Sequence, residues 1–172
     1  MLVTILNDPN KILRKVATEL TPLDFSSGIA SNLHKEMRHV MEGHKGRGLA
    51  ANQVGVPKRM ILVEIGGVEE CMCNPTIVAL TTDLVYEGEG CLSIPGVFAR
   101  VPRPKEITIK WESFMTNVEH EATFSGITAR IISHELDHLV GILFTDRLSK
   151  SQMKALKKEH PFLPFQILHN SL

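Results

Sequence analysis

The possible fold and chemistry of this chain are constrained most by the motif His134-Glu135-x-x-His138. The motif lies in a segment whose pattern predicts a helix. Two histidines four residues apart lie on the same face of a helix, so both imidazoles can bind one metal ion. Glu135 is directed about 100° around the helix axis from its neighbour. It can therefore contact a water on that ion but is badly placed to bind the ion itself. Because the motif is short, the simplest alternative is a helix whose histidines only make hydrogen bonds.

The residues around the motif predict that this helix is buried. Ser125 is a suitable N-cap, and Gly141 occupies the position where a C′ glycine would end the helix. Apolar residues surround most of the helix circumference. They are Ile127, Ile131, Ile132, Leu136, Leu139 and Val140. A buried apolar helix gains nothing from three clustered polar groups unless they have partners, which favours a metal site.

Length and composition predict one globular domain that spans residues 1–172, with 43% hydrophobic and 22% charged residues. The 19 basic and 19 acidic residues cancel, which argues against direct nucleic-acid recognition and against a polybasic membrane surface. No apolar stretch approaches the roughly eighteen residues of a transmembrane helix, and no signal peptide is recognisable. With three cysteines and no secretory feature, reduced thiols and a cytoplasmic location are expected.

The remaining pattern predicts an α+β fold, in which antiparallel β-sheets pack around the central buried helix. Residues 59–65 and 68–73 read as a hairpin with Gly66-Gly67 at its turn, and residues 105–112 and 117–124 read as a second hairpin. Asn74-Pro75 is expected to stop the strand before it. Helices are predicted from Ser26 or Ser27 to Glu42 and from a capping box at Ser149 to Lys158. The segment 87–96 is rich in glycine and is expected to be a series of turns.

A catalytic metal needs a third protein ligand and an open position for water. Glu159, His160 and His169 follow the motif, and Cys91 precedes it in the segment Glu89-Gly90-Cys91-Leu92-Ser93. A thiolate among glycines can be approached closely, and backbone N–H groups there can orient a reacting carbonyl. Glu159 follows several lysines, where a solvated surface charge is the ordinary interpretation. The chemistry therefore favours Cys91 without excluding the others.

Three segments in this order resemble the three signature motifs of the peptide deformylases. They are Gly46-x-Gly48-x-Ala50-Ala51-x-Gln53, Glu89-Gly90-Cys91-Leu92-Ser93 and His134-Glu135-x-x-His138. Ile5-Leu6-Asn7-Asp8-Pro9 with Leu13-Arg14, the pair Asn74-Pro75, and the run from Asp137 through Arg147 are also similar to that family. The predicted C-terminal helix resembles the bacterial subclass that carries one.

The resemblance implies a hydrolase that removes the formyl group from the N-formylmethionine of newly made polypeptides, with a transient ribosome contact as a further expectation. Cys91, His134 and His138 would hold one divalent ion, with Fe²⁺ implied by the family. The residues alone leave Zn²⁺, Ni²⁺ and Co²⁺ open. Glu135 would transfer the proton, while the Gln53 amide and the Leu92 N–H would meet the oxyanion. Substrate contacts are expected from Gly46, Gly48, Leu49, Ile94 and Ile131, with Leu136 as a further candidate for the methionine pocket.

Two positions depart from the family pattern, and other functions stay open at this point. Ser133 stands where the family usually has Gln, and Phe98 stands where a basic residue is common. Neither change removes a ligand or the base, so activity is expected. If the basic residue normally contacts the bound peptide backbone, Phe98 would alter substrate affinity or preference. A metallopeptidase that uses Glu159 as its third ligand is the nearest rival, together with a deformylase-like protein of altered specificity. A non-catalytic binding module with a closed metal site is the rival from another class.

Overall fold

The computed structural model of the protein describes residues 4–116 and 118–163. Its helices are α1 (Pro22–Ser26), α2 (Ile29–Gly43), α3 (Gly126–Leu139) and α4 (Lys150–Glu159). Its strands are β1 (Gly48–Ala50), β2 (Met60–Ile65), β3 (Val68–Leu80), β4 (Leu84–Cys91), β5 (Ile94–Pro104), β6 (Glu106–Ser113) and β7 (Glu119–Ser125). Short 3₁₀ helices occur at Lys11–Arg14, Ala51–Val54 and Phe144–Arg147.

The strands form two antiparallel sheets, and both large helices pack against the first sheet. That sheet has five strands in the order β1-β2-β3-β6-β7, while β4 and β5 pair with each other. Helix α3 shares one core cluster with this sheet, in which Ile132 and Leu139 meet Ile61 and Ile109. Helix α2 shares a second cluster with residues of β1, β2 and β3. The predicted α+β fold, with antiparallel sheets around the helix that carries the motif, is confirmed.

Helix α3 begins and ends where the sequence predicted, and it is continuously buried from Ile132 to its last residue, Leu139. Ser125 occupies the N-cap position with extended backbone, although its side chain makes no capping hydrogen bond. Gly141 has a φ of 75°, the left-handed conformation of a glycine at C′. The predicted, largely buried helix is confirmed, although two of the six apolar residues, Ile127 in the first turn and Val140 at the C-cap, are 41% and 45% exposed. Ile127 is exposed because it faces an open cleft.

Asn74-Pro75 does not stop a strand, contrary to the prediction, because β3 continues to Leu80 through a bulge. Asn74 adopts a φ of 48°, which asparagine tolerates better than most residues, and the pairing register shifts between Cys73 and Thr76. The Asn74 side chain secures the bulge by bonding both the N–H and the C=O of Leu20, at 2.7 and 3.0 Å. Proline is tolerated at a bulge, where a ladder donor is not required.

The segment 87–96 is also not a series of turns, because most of it belongs to the hairpin of β4 and β5. Gly90 pairs with Phe98 in the antiparallel register, and only Leu92 and Ser93 form the turn between the strands. A Cβ on residue 90 would lie 2.6 Å from the Phe98 ring, so glycine is needed for the ring to pack there. Gly90, one of the glycines that suggested turns, therefore allows a close approach within a hairpin.

Helix α2 begins later than predicted, because the chain forms the separate short helix α1 before it. Thr21 and Asp24 make a capping box that starts α1, with Pro22 at the first helical position. Gly28 then takes a φ of 81° and interrupts the helical path before Ile29. The predicted C-terminal helix is confirmed as α4, with Ser149 and Gln152 forming its capping box.

Gly141→Ala is expected to destabilise the protein by about 2–4 kcal/mol, through backbone strain and steric overlap together. A Cβ there would lie 2.5 Å from the backbone oxygen of Arg14, in a conformation that L-residues rarely adopt. Gly67→Ala is the matched control, since Gly67 has a φ of 84° but nothing within 4 Å of a Cβ. It should cost only about 1–2 kcal/mol. Urea unfolding measures both, and equal losses would show that the contact with Arg14 is unimportant.

Candidate metal centre

Three buried side chains from two distant parts of the chain meet at one point. Cys91 is the last residue of β4, while His134 and His138 project from α3. The Cys91 Sγ lies 3.3 Å from Nε2 of His138, which lies 3.2 Å from Nε2 of His134. All three ligand atoms fall within 4.8 Å of one another. The structure therefore brings together the sulfur and two nitrogens that the sequence singled out.

The spacing and the proton positions fit one divalent ion. Nitrogen and sulfur ligands around a tetrahedral ion are separated by roughly 3.3–3.6 Å, given ligand bonds of about 2.0–2.3 Å. Nδ1 of His134 lies 3.1 Å from Oε2 of Glu89. When Nδ1–H donates to that carboxylate, Nε2 of the neutral ring presents its lone pair to the site. A sulfur and two imidazole nitrogens form a donor set that suits iron, zinc, nickel or cobalt.

The protonation of the two histidines differs when only protein groups act on them. Burial lowers the pKa of the His134 imidazole, but hydrogen bonds to Cys91 and Glu89 outweigh burial, and the pKa rises well above its usual value. Burial and the neighbouring His134 hold the pKa of His138 well below the usual value. A proton and a divalent cation thus compete for the same ligand atoms, and metal binding would release the proton.

A network of buried ion pairs contacts His134 through its Nδ1 atom, on the side of the ring away from the other candidate ligands. Glu89 accepts two hydrogen bonds from Arg103, at 2.7 and 2.9 Å, and Arg103 donates a third to Asp137 at 2.6 Å. Asp137 also accepts hydrogen bonds from Arg147 at 2.5 and 3.1 Å. Burial alone would raise the pKa of Glu89, but the bonds from Arg103 and His134 outweigh it and lower the pKa to about 2. Glu89 is therefore a carboxylate that can fix the ring orientation of His134.

Glu89, Arg103 and Asp137 had no predicted role, although the sequence contains a signal for two of them. Glu89 and Cys91 are two residues apart in β4, and both are buried. Val97, Val101 and Arg103 likewise alternate with more exposed residues along β5. Period-two alternation places such residues on one face of a strand. Reading segment 87–96 as a hairpin would have predicted that Glu89 faces the metal site.

Glu135 is 4% exposed and lies beside the candidate metal centre. Burial is the main reason why its pKa is raised to about 7. Its Oε2 atom has no hydrogen-bond partner among the described residues. A Cβ on residue 48 would overlap Oε1 of Glu135 and lie 2.7 Å from Cγ2 of Ile131, so Gly48 provides the space that the carboxyl group occupies. The arrangement gives a carboxyl group that can exchange a proton near neutral pH.

The Gln53 side chain points its amide nitrogen toward the centre. Its Oε1 accepts a hydrogen bond from the Ala50 N–H at 2.9 Å, which fixes the amide orientation. Its Nε2 donates to Ser93 Oγ at 3.2 Å and lies 3.5 Å from Cys91 Sγ. Leu92 follows Cys91 directly in the turn between β4 and β5. Both of the predicted oxyanion-binding residues thus lie next to the candidate metal ligands.

A cleft of about 530 Å³ opens onto these residues. Of the predicted substrate-contacting residues, Gly46, Gly48, Ile94 and Ile131 line it. Leu49 does not present its side chain there, because that side chain is fully buried in the core cluster with α2. The side chain of Leu136 packs in the cluster between α3 and the five-stranded sheet.

The two departures from the family pattern have different surroundings. Phe98 lines the cleft and is 73% exposed, with its ring against Gly90. The hydroxyl of Ser133 donates to the Ala129 carbonyl at 2.7 Å, a bond within the helix itself. Phe98 is thus the departure that a bound peptide can meet directly.

The other candidates for the third ligand are not at this centre. In the described ranges, Cys91, His134 and His138 are the one group of three potential ligands close enough to share an ion. Glu159 is exposed at the end of α4, with His160 directly after it. His169 lies outside the described residues. The geometry favours Cys91 over the ligand set of the rival metallopeptidase. A membrane-spanning helix is also absent from the part of the chain that the structure describes.

Comparison with known proteins gives consistent matches along most of the chain. The family model "Polypeptide deformylase" matches residues 2–154. A peptide deformylase of Helicobacter pylori (strain Shi470) is 36% identical over 169 residues, which covers 92% of each chain. A peptide deformylase from Synechococcus elongatus, solved with actinonin, matches with a TM-score of 0.86 and 28% identity over 96% of this chain and 91% of that chain.

A class I type b peptide deformylase from Acinetobacter baumannii, solved with Met-Ala-Ser bound, has a TM-score of 0.81 and 29% identity. That match covers 86% of this chain and 99% of the other. The sequence matches and the structure matches therefore point to the same family as the motif geometry. They cover most of this chain and most of each matched chain. On this evidence the chain belongs to the peptide deformylase family, the metal-dependent enzymes that remove the formyl group from nascent peptides.

Proposed function

We propose that Cys91, His134 and His138 hold a single divalent ion, and that this ion is ferrous iron in the cell. The proposal rests on the convergence of three buried ligand atoms within 4.8 Å. One thiolate and two neutral imidazoles would leave the ion with a net charge of one plus. When bound, such an ion supplies Lewis acidity that lowers the pKa of water toward neutrality. The choice of iron follows the family resemblance, since the donor set also suits zinc, nickel and cobalt.

Glu135 is proposed as the residue that accepts a proton from the attacking water and returns it to the departing amine. Its buried carboxyl group, with a pKa of about 7 from the protein groups alone, is matched to proton exchange at neutral pH. The unpartnered Oε2 leaves one oxygen available for that exchange. Gly48 supports this role because the absence of a side chain there leaves room for the carboxyl group.

The Gln53 amide and the Leu92 backbone N–H are proposed to stabilise the oxyanion that develops on the formyl oxygen. Gln53 supports this assignment because Ala50 holds its carbonyl end, leaving the NH₂ group directed at Cys91. Donors that are already oriented need no reorganisation as charge develops, which is the condition for effective oxyanion stabilisation. Leu92 is supported only by its position directly after the proposed ligand Cys91.

The cleft is proposed to bind the formylmethionyl end of a nascent peptide against Gly46, Gly48, Ile94 and Ile131, which line it. Only the backbone of Leu49 could take part, since its side chain is buried. We further propose that residues 1–172 act as one catalytic domain in the cytoplasm. A transient contact with the ribosome would bring the enzyme close to its substrates.

The proposed function predicts release of formate from formyl-Met-Ala-Ser. The assay would be run anaerobically, because a thiolate-bound ferrous site is open to oxidation. Metal analysis of the same sample should give one ion per chain, and Met-Ala-Ser should be the other product. Cleavage of the Met-Ala bond, or metal with no formate release, would contradict the proposal. The unformylated peptide serves as the control and should remain intact.

A further inference from the structure

The mouth of the cleft carries positive charge that the proposed reaction does not use. Lys45, Arg47 and Arg130 all line the cleft. The acidic residues lining it are Glu89 and Glu135, which are 8% and 4% exposed. Glu89 is already neutralised by Arg103. Among the described residues that line the cleft, the solvent-facing charge is therefore cationic, although Arg130 and Arg47 each have a partly exposed carboxylate 3.4 Å away, on Glu87 and Glu64.

Arg130 is the most constrained of these cations. It projects from α3 one turn before His134, and its side chain is only 16% exposed. Its contact with Glu87 is long, at 3.4 Å, and Glu87 itself is 61% exposed. An ion pair with one exposed member contributes little and can be exchanged for another partner. The Nε atom of Arg130 is buried without a hydrogen-bond partner among the described residues, so the guanidinium has unused donor capacity.

Arg47 adds a second cation on the segment that leads into β1. Its side chain is 49% exposed and lies 3.4 Å from Glu64, which is itself partly exposed. This pair is therefore also weak. Arg47 directly precedes Gly48, which contacts Glu135 and Ile131 at the reacting end of the cleft. A peptide bound there would run past cationic side chains from both α3 and the β1 segment.

We propose that the cleft selects formylated peptides with an acidic residue directly after the methionine, and that Arg130 is the main specificity-determining residue. This inference rests on the proposed function and names the substrate class of the same site. The incoming carboxylate would replace Glu87 as the partner of Arg130, forming the two-pronged contact that guanidinium and carboxylate groups favour. The field of Lys45 and Arg47 would add attraction that weakens as salt screens it.

The experiment compares formyl-Met-Glu-Ser with formyl-Met-Gln-Ser, which differ in charge but hardly in shape. At low ionic strength kcat/KM should be about two- to fivefold higher for the glutamate peptide, the range expected of a partly screened charge pair. The ratio should fall toward one as salt is added. Arg130→Gln should reduce the ratio at low salt, whereas Lys154→Gln, an exposed change on α4, should leave it unchanged.

Glu87→Gln keeps the proposal testable if the Arg130 variant folds poorly. It removes the competing carboxylate, so the preference for the glutamate peptide should increase. Equal kcat/KM for the two peptides, or a ratio that Arg130→Gln and Glu87→Gln leave unchanged, would overturn the specificity proposal. Formate release from the glutamine peptide separates this outcome from failure of the proposed function, which would abolish turnover of both peptides.

Discussion

Replacing Glu135 by glutamine is expected to lower kcat for formate release at least ~100-fold, the usual contribution of a positioned acid–base group. Glutamine has the same shape and can occupy the space that Gly48 leaves open. It cannot accept the proton that Glu135 is proposed to take from water. Metal content should remain at one ion per chain, because Glu135 does not belong to the group of ligand atoms. A large loss of turnover with an intact metal site would therefore identify proton transfer as the function of this residue.

The matched control for this change is Glu159→Gln. Glu159 is exposed on α4, so the same chemical substitution there should leave both kcat and metal content unchanged. Steady-state kinetics with formyl-Met-Ala-Ser and metal analysis of each variant are the measurements. Full activity in the Glu135 variant would remove the residue from the mechanism. Loss of metal from that variant would show that the carboxyl group is needed for the ion instead.

The sequence predicted helix α3 and its candidate metal-binding face because the information there is local. The spacing of His134 and His138 is set by the helix repeat alone, and Gly141 marks the end of the helix through its own backbone conformation. Neither feature depends on how the rest of the chain folds. The two hairpins β2-β3 and β6-β7 were predictable for the same reason, since each pairs neighbouring segments.

The position of Cys91 was harder to predict because it depends on the β4-β5 hairpin, which is difficult to recognise in the sequence. Gly88 and Gly90 lower the strand propensity of β4, and this favoured a prediction of turns. Gly90 is required by the ring of Phe98 on the paired strand, which is a tertiary cause that no local pattern contains. Local rules are expected to fail at functional sites, where close approach matters more than propensity.

The buried charges behind His134 depend on the same hairpin. Arg103 reaches both Glu89 and Asp137, so its role appears only when β5 and α3 are placed together. From the sequence, an arginine between Pro102 and Pro104 has no evident reason to be buried. Its burial follows from the need to balance two carboxylates that are themselves out of water. The pairing of Arg103 with these two carboxylates exists only in the folded structure, so the sequence alone could not predict it.

Cys91→Ala is expected to cause the largest change, because it removes one of three proposed metal ligands. Metal affinity should fall by more than the ~10–100-fold that loss of an outer partner of a ligand typically costs. Dialysed protein should then contain little metal and release no formate. The two imidazole nitrogens, 3.2 Å apart, would be left to share a proton in place of the ion. The stabilisation that bound metal gives to the folded state should disappear as well.

Two control variants separate loss of a ligand from general damage. Cys73→Ala removes an equally buried thiol from the cluster between α2 and the sheet, so it should lose some stability but keep its metal and activity. Glu159→Ala tests the ligand set of the rival metallopeptidase. Metal content, unfolding with and without added metal, and formate release distinguish the three proteins. The assignment of the site fails if the Cys91 variant keeps its metal or the Glu159 variant loses it, because the sulfur beside His138 would then have no part in holding the ion.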